Sequence, residues 1–126
     1  MNSDFTSTYS FEHRLSESNR IREKYNNRIP VICQRSIHAA RNCPLIDKKK
    51  YLIPHDLSVG QFIYVIRSRL KLAQNTALFI FINGVMPPIS GLMSKLDSDY
   101  KNRDGFLYVY YNLENTFGNQ IKRNCD

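Results

Sequence analysis

Hydrophobic positions along this chain recur at helical spacing in some segments and form short strand-like runs in others. In the polar first 27 residues they recur at helical spacing, which predicts an amphipathic helix that leans on another part of the molecule. The face of this helix is formed by Phe11, Leu15, Ser18, Ile21, Arg22 and Tyr25. A short helical turn is predicted just before it, near Asp4–Tyr9.

Two segments then have the composition of strands. Arg28–Arg35 is rich in β-branched residues, and its Pro30 suits the beginning of a strand, where a missing N–H is tolerated. After an irregular, basic loop at Ser36–Asp47, Lys50–Pro54 is predicted to be a short edge strand, because lysine and proline are common at sheet edges.

The middle of the chain predicts a helix and then a buried strand. Ser58 and Gln61 stand at the spacing of a capping box, and apolar residues follow at helical intervals. The apolar run Leu78–Ile82 is too short for a helix, so it predicts a buried central strand. Asn83-Gly84 is a reversing signal, and a short return strand is predicted at Val85–Pro87.

The remaining pattern completes the domain. Leu92, Met93 and Leu96 predict a short helix, and Asp104-Gly105 turns the chain into a last strand at Phe106–Tyr111. The layout predicts an α+β fold of the ubiquitin-like β-grasp type, with a four-stranded mixed sheet, crossover helices and two preceding N-terminal helices. In such a fold the last strand lies beside the first at the centre of the sheet.

Composition narrows the class of protein. The chain has 126 residues, is 42% hydrophobic and carries a net charge of +7, which favours one basic globular domain that attracts nucleic acid, anionic lipid or acidic peptides. It has no run of about 18 apolar residues and no secretory signal at its N-terminus, so a cytoplasmic location is expected. Cys33, Cys43 and Cys125 form no CxxC pair, which argues against a disulfide framework or zinc site, and Cys33 is predicted to be a core thiol.

Five blocks of sequence carry a family resemblance. They are Asn27–Cys33 (NRIPVIC), Asp47–Pro54 (DKKKYLIP), Val59–Arg67 (VGQFIYVIR), Asp104–Val109 (DGFLYV) and Glu114–Gly118 (ENTFG). In this order they closely resemble the autophagy ubiquitin-like modifiers, relatives of GABARAP and of microtubule-associated protein light chain. The likeness runs from about Phe5 to Gly118, so residues 1–27 would be the N-terminal helical extension and residues 28–118 the ubiquitin-like domain.

The resemblance implies a chemistry for the C-terminus. A processing cysteine protease would cut after Gly118 and remove residues 119–126, with Phe117 as its apolar anchor. E1-like and E2-like conjugation enzymes would then pass the new carboxylate to phosphatidylethanolamine, which places the chain on autophagosomal or related membranes. Glycine suits this task because it lacks a Cβ and its carbonyl is accessible to a nucleophile. The chain itself is not expected to be an enzyme, and no cofactor or metal is implied beyond the lipid.

The resemblance also implies a peptide-binding surface. Cargo receptors and adaptors with an aromatic-x-x-aliphatic motif would add a strand at the edge formed by Lys50–Leu52. The implied aromatic pocket consists of Glu17, Ile21, Pro30, Ile32, Lys50, Leu52 and Phe106. The implied aliphatic pocket consists of Tyr51, Ile53, Pro54, Phe62, Val65 and Arg69. Lys48 and Lys50 would meet acidic residues that flank the motif.

Three other functions are alternatives to lipid conjugation. An unconjugated ubiquitin-like adaptor would bind the same peptides without processing. An enzyme is disfavoured because His13, His38 and His55 form no recognisable triad or metal spacing with the cysteines. A nucleic-acid partner is not expected, since the basic charge comes without a recognition motif. The chain departs from the family pattern at Asn112-Leu113, in a loop about two residues longer at Ser36–Asp47, and in a longer tail.

Overall fold

The computed structural model describes residues 4–115. In chain order the described elements are α1 (Phe5–Thr8), α2 (Phe11–Lys24), β1 (Arg28–Arg35), β2 (Lys50–Pro54), α3 (Val59–Leu70), β3 (Phe79–Phe81), α4 (Met93–Tyr100) and β4 (Leu107–Asn112). The predicted α+β fold with two leading helices and a four-stranded mixed sheet is confirmed. The predicted bounds of β1 and β2 agree with the structure at both ends.

The strands lie in the order β2-β1-β4-β3. β1 and β4 run parallel at the centre, as expected for the first and last strands, while β2 and β3 pair antiparallel to them. The prediction of a central strand at Leu78–Ile82 is wrong, because β3 lies at an edge of the sheet. Ile80 and Ile82 are nevertheless buried, since they pack into one cluster with Phe62 of α3 and Met93 of α4. An apolar run predicts that a strand is buried, but it does not predict the position of that strand in the sheet.

The predicted return strand at Val85–Pro87 is also wrong. Asn83 and Gly84 have positive φ angles of 53° and 75° and reverse the chain as expected. Ile82 and Val85 then exchange backbone hydrogen bonds of 2.9 and 3.0 Å as an isolated bridge. The pairing stops there because Pro87 and the proline after it have no N–H to donate.

Side-chain hydrogen bonds fix where the long helices begin. The Ser58 hydroxyl accepts a hydrogen bond from the Gln61 N–H, and the Gln61 side chain accepts one from the Ser58 N–H, so the predicted capping box at α3 is confirmed. The Ser10 hydroxyl caps α2 in a similar way, by accepting a bond of 3.1 Å from the N–H of His13. Among the described residues, no helix is both long and apolar enough to cross a bilayer.

The sheet separates two apolar clusters. On one face, Val31 and Cys33 of β1 pack with Phe62 and Ile66 of α3. On the other face lies a smaller cluster of Phe5, Ile32, Phe106 and Tyr108, with Ile21 and Tyr110 against it. Cys33 is fully buried and burial raises the pKa of its thiol, in agreement with the prediction of a core residue. The domain therefore has three layers, with N-terminal helices on one side of the sheet and α3 and α4 on the other.

Candidate peptide-binding site

The outer edge of β2 presents backbone groups to solvent. In the described residues β2 pairs only with β1, and its position at the edge of the sheet leaves its other side open. The Cys33 N–H donates to the Lys49 carbonyl (2.8 Å) and the His55 N–H donates to the Asn27 carbonyl (3.2 Å). Because hydrogen-bonded and non-bonded pairs alternate along an antiparallel ladder, the N–H and C=O groups of Lys50 and Leu52 point away from β1. This edge can accept an added strand.

The residues implied for the aromatic pocket come together on the face covered by α2. Ile32 and Phe106 are fully buried in the small cluster, and Ile21 of α2 packs against it. Pro30 is buried on β1 opposite Leu52, which is half-buried on β2. Between helix and strand, Lys50 Nζ lies 2.6 Å from Glu17 Oε2. All seven residues implied for this pocket therefore lie in α2, β1, β2 or immediately before β4.

Phe5 is a residue of this region that the sequence reasoning missed. Its ring packs edge-on against Phe106 with centroids 5.4 Å apart, and it lies 6.3 Å from the ring of Tyr108. Lys50 Nζ stands 5.9 Å from the centre of the Phe5 ring. The buried Phe5 N–H donates to the Gln34 side-chain carbonyl at 2.7 Å. Beside Phe5 is an open cavity of about 440 Å³ lined by Thr8, Tyr9 and Lys48–Lys50.

The residues implied for the aliphatic pocket lie mainly on the opposite face. Tyr51 and Ile53 are buried in the larger cluster, and the Tyr51 ring meets the fully buried Phe62 edge-on at 6.2 Å. Val65, one turn after Phe62 in α3, is exposed. Pro54 ends β2 and is half-buried. A peptide at this site would contact the accessible side chains of Val65 and Pro54, and the buried rings of Tyr51 and Phe62 would lie beneath them.

Positive charge surrounds the β2 edge. Lys48 Nζ lies 5.2 Å from the centre of the Tyr51 ring. The charge of Lys50 is partly neutralised by its ion pair with Glu17. Arg69 donates to Asp47 at 2.8 Å, and this guanidinium holds the pKa of the Asp47 carboxyl below its usual value. An acidic peptide can therefore approach Lys48 directly, whereas at Lys50 it has to compete with Glu17.

Two ionic contacts, one buried and one partly buried, hold α2 against the rest of the domain. Asp104 is fully buried and accepts from Arg14 (2.6 Å), from the Tyr108 hydroxyl (2.5 Å) and from the N–H of Phe106 (3.0 Å). Burial raises the pKa of the Tyr108 hydroxyl, and its hydrogen bond to Asp104 adds to the effect. About two turns further along α2, both terminal nitrogens of Arg22 contact the Asp97 carboxylate, at 3.0 and 2.8 Å.

These ionic contacts were not predicted from the sequence. The helical pattern predicts that Arg22 lies on the packed face of the helix, but it does not identify the partner of Arg22 on α4. Phe117 and Gly118, the implied protease anchor and lipid attachment point, lie outside the described residues. The last described positions, Glu114 and Asn115, follow directly from β4 at the centre of the sheet.

Comparisons with known proteins agree with the fold. The family model described as "Autophagy protein Atg8 ubiquitin like" matches residues 13–118. Autophagy-related protein 8 of Candida glabrata is 53% identical over 120 residues, which cover 95% of this chain and 100% of that protein. Autophagy-related protein 8 of Schizosaccharomyces pombe is 54% identical over 118 residues, which cover 94% of this chain and 96% of that protein.

Solved structures of similar proteins extend this result. The crystal structure of Trypanosoma brucei ATG8 has a TM-score of 0.82 and 37% identity, and the match covers 89% of this chain and 95% of that one. Plasmodium falciparum Atg8, solved in complex with a Plasmodium falciparum Atg3 peptide, has a TM-score of 0.82 and 34% identity, with coverage of 90% and 98%. A family model that spans most of the chain, together with relatives of the same length, shows that this chain belongs to the Atg8 family of autophagy ubiquitin-like proteins.

Proposed function

We propose that this chain is a lipid-conjugated modifier of autophagy that recruits proteins carrying aromatic-x-x-aliphatic motifs. The observation that carries the proposal is the open edge of β2, where outward backbone groups of Lys50 and Leu52 lie between two apolar sites. Such an edge binds an extended peptide through backbone hydrogen bonds, while the two sites select its side chains. The Atg8 of Plasmodium falciparum was solved with a bound peptide, which is an example of peptide binding in this family.

The conjugation step is proposed from the C-terminal sequence. Thr116-Phe117-Gly118 follows β4 by only a few residues and precedes eight mostly polar ones. After cleavage by the cysteine protease, the Gly118 carboxylate would be activated and transferred, through the E1-like and E2-like enzymes, to the amine of phosphatidylethanolamine. The unconjugated chain would be cytoplasmic, and the conjugated chain would be held on autophagosomal or related membranes by the two acyl chains of the lipid.

Titration calorimetry with a short aromatic-x-x-leucine peptide tests the binding part of the proposal. Leu52→Ala is expected to weaken binding about tenfold, a typical loss for a buried apolar contact at an interface centre. Val85→Ala is the matched control, because Val85 is another aliphatic residue with an accessible side chain but lies beyond β3, at the opposite edge of the sheet. Equal affinities for the wild type and Leu52→Ala would exclude this edge as the binding site.

The contribution of charge is tested with two peptides that differ only in their flanking residues. Lys50→Ala is expected to weaken binding of the peptide with acidic flanks several-fold and to leave the neutral peptide almost unchanged. The Glu17→Gln variant is the complement, because it releases Lys50 from its 2.6 Å contact and should favour the acidic peptide. Identical responses to both peptides would refute the role of Lys50 as the receptor for the acidic flank.

Intact-mass analysis tests the conjugation part. Incubation with the processing protease is expected to remove residues 119–126 and nothing else, and the product is expected to gain phosphatidylethanolamine when the conjugation enzymes are added. Gly118→Ala should block or greatly slow the transfer. An uncut chain that still binds the peptide would favour the alternative, an unconjugated adaptor.

A further inference from the structure

The loop between β1 and β2 exposes one large apolar side chain. Ile37 is 90% exposed, more than any other large hydrophobic residue in the described chain, and Leu45 in the same loop is exposed as well. The loop is not loosely attached, because Cys43 and Ile46 are buried in the larger core cluster. An isoleucine that an anchored loop holds in water gains free energy only when another surface buries it.

Backbone pairing places this loop beside the end of β4. Arg35 is the last β1 residue in register with β4, opposite Tyr111. The next N–H, that of Ser36, donates to the Tyr111 carbonyl at 2.8 Å, and the Tyr111 hydroxyl donates to the Pro44 carbonyl at 2.6 Å. Ile37 is therefore at the end of the sheet from which the chain continues toward Gly118.

The covalent distance limits how far the attachment point can be from this surface. Gly118 is the third residue after Asn115, and a fully extended chain spans at most about 3.3–3.6 Å per residue. Gly118 therefore lies within about 11 Å of Asn115 whatever conformation these residues adopt. A lipid attached at Gly118 must bring the bilayer surface close to this end of the sheet, and Ile37 is the more exposed of the two large apolar residues that the loop presents there.

The charges at this end suit an anionic surface. Arg41 is exposed in the same loop, and Lys48 lies just before β2, whose first residue pairs with Ile32 near the end of β1. The nearby Asp47 carboxylate is paired with Arg69 on α3. Glu114 adds one negative charge beside Cys43, so the basic groups of the loop outnumber the unpaired acid. Each basic residue near an anionic bilayer raises the membrane-binding constant about fivefold.

We propose that the loop Ser36–Asp47 is a membrane-contact surface, with Ile37 inserted among the lipid headgroups and Arg41 facing anionic lipid once the chain is anchored through Gly118. This inference rests on the lipid conjugation proposed above. It assigns an orientation to the anchored protein, with the C-terminal ends of β1 and β4 toward the bilayer. The opposite end of the sheet, where α3 begins, then faces away from the membrane.

Tryptophan fluorescence provides a site-specific test because the chain contains no tryptophan. Ile37→Trp places a single reporter in the loop. Ile89→Trp is the matched control, because Ile89 is 69% exposed and its carbonyl accepts from the Gly60 N–H in the first turn of α3, at the far end of the sheet. Each variant is made in a chain that ends at residue 118 with Gly118→Cys, and the new thiol is coupled to maleimide-phosphatidylethanolamine in vesicles.

Chemical coupling separates this inference from the proposed function. It needs neither the protease nor the conjugation enzymes, and the two described native thiols, Cys33 and Cys43, are buried. A negative result in vesicles therefore counts against the loop alone, whereas failure of the enzymatic mass assay counts against conjugation alone. The vesicles consist of phosphatidylcholine and phosphatidylserine, with pure phosphatidylcholine vesicles for comparison.

The expected result is a blue shift of the Ile37→Trp emission and its quenching by brominated lipid, with neither effect in Ile89→Trp. Adding Arg41→Gln should reduce the quenching on phosphatidylserine vesicles several-fold and have little effect on phosphatidylcholine alone. Equal quenching at both positions would show contact without this orientation, and absence of quenching at Ile37→Trp would show no insertion. Either result would overturn the proposal.

Discussion

Asp104 is the residue whose replacement tests most directly how the N-terminal helix is held on the sheet. The carboxylate is fully buried between α2 and β4, where it accepts from Arg14, Tyr108 and the N–H of Phe106. Asp104→Ala leaves a guanidinium, a hydroxyl and a backbone N–H without their acceptor. We expect this substitution to lower the free energy of unfolding substantially and to loosen α2.

The size of the loss follows from the burial of the groups left behind. Removing one partner of a buried ion pair costs about 3–5 kcal/mol, chiefly because the other charge stays desolvated. The Arg14 side chain retains 12% exposure and can turn partly toward water, so we expect the lower end, about 3 kcal/mol. That loss is a large part of the free energy of unfolding of an ordinary domain, which is about 5–15 kcal/mol.

Urea unfolding followed by circular dichroism measures this loss. Asp99→Ala is the matched control, because Asp99 pairs with Lys95 at the surface and should contribute less than about 0.5 kcal/mol. In the Asp104→Ala background a second change, Arg14→Ala, should cost little more, because the charge it removes is already unpaired. A loss below about 1 kcal/mol for Asp104→Ala, or full additivity of the two changes, would refute the buried contact as the anchor of α2.

Three further substitutions or conditions test other parts of the fold. Ser58→Ala should lower the free energy of unfolding by about 1 kcal/mol through loss of the α3 cap, as measured from urea midpoints. Ser68→Ala, at an exposed position in the last turn of the same helix, should not lower it. Gly105→Ala should unfold at a lower temperature in calorimetry, because Gly105 has a φ of 89° and a Cβ there would collide with the Ser18 hydroxyl. Stability should fall above about pH 8 in denaturant titrations, because burial raises the pKa of Cys33 and of several tyrosines, so that above this pH the unfolded chain binds fewer protons than the folded chain. Cys33→Val should reduce that alkaline slope, and an unchanged slope would exclude the thiol as its source.

Local sequence signals were sufficient for most elements and insufficient for their arrangement. The bounds of β1 and the start of α3 follow from β-branched composition and a capping box, both of which act within a few residues. The edge position of β3 depends on which strands pair at long range, which an apolar run does not specify. The return strand at Val85–Pro87 fails for a different, local reason, because Pro87 and the proline after it lack the N–H groups that would continue a ladder.

The sequence also predicted part of the candidate site and missed two of its residues. The implied pocket residues gather on the two faces of β2, but Phe5 was missed because it is a single apolar residue in a polar segment. Asp104 was missed as an anchor because aspartate is rarely buried and is read as surface in a sequence. Its partner Arg14 is ninety positions away in the chain, and a single sequence does not reveal a pairing at that distance.

The alternation of side chains along β2 explains why an aromatic-x-x-aliphatic spacing suits this edge. Leu52 faces α2 and the aromatic site, whereas Tyr51 and Ile53 face α3 and the aliphatic site. In an added strand, side chains at positions i and i+3 also point to opposite faces, so one motif reaches both sites at once. With one intervening residue, both motif side chains would lie on the same face.

This parity makes peptide spacing a test of strand addition itself. A peptide with one intervening residue should lose most of its affinity in calorimetry, because only one of its two anchors can bind, although its composition and charge are nearly unchanged. A peptide with four intervening residues restores opposite faces and should recover part of the affinity, limited by the distance between the sites. If affinity instead followed hydrophobicity regardless of spacing, the peptide would not be bound as a strand, and the open edge of β2 would not be the basis of recognition.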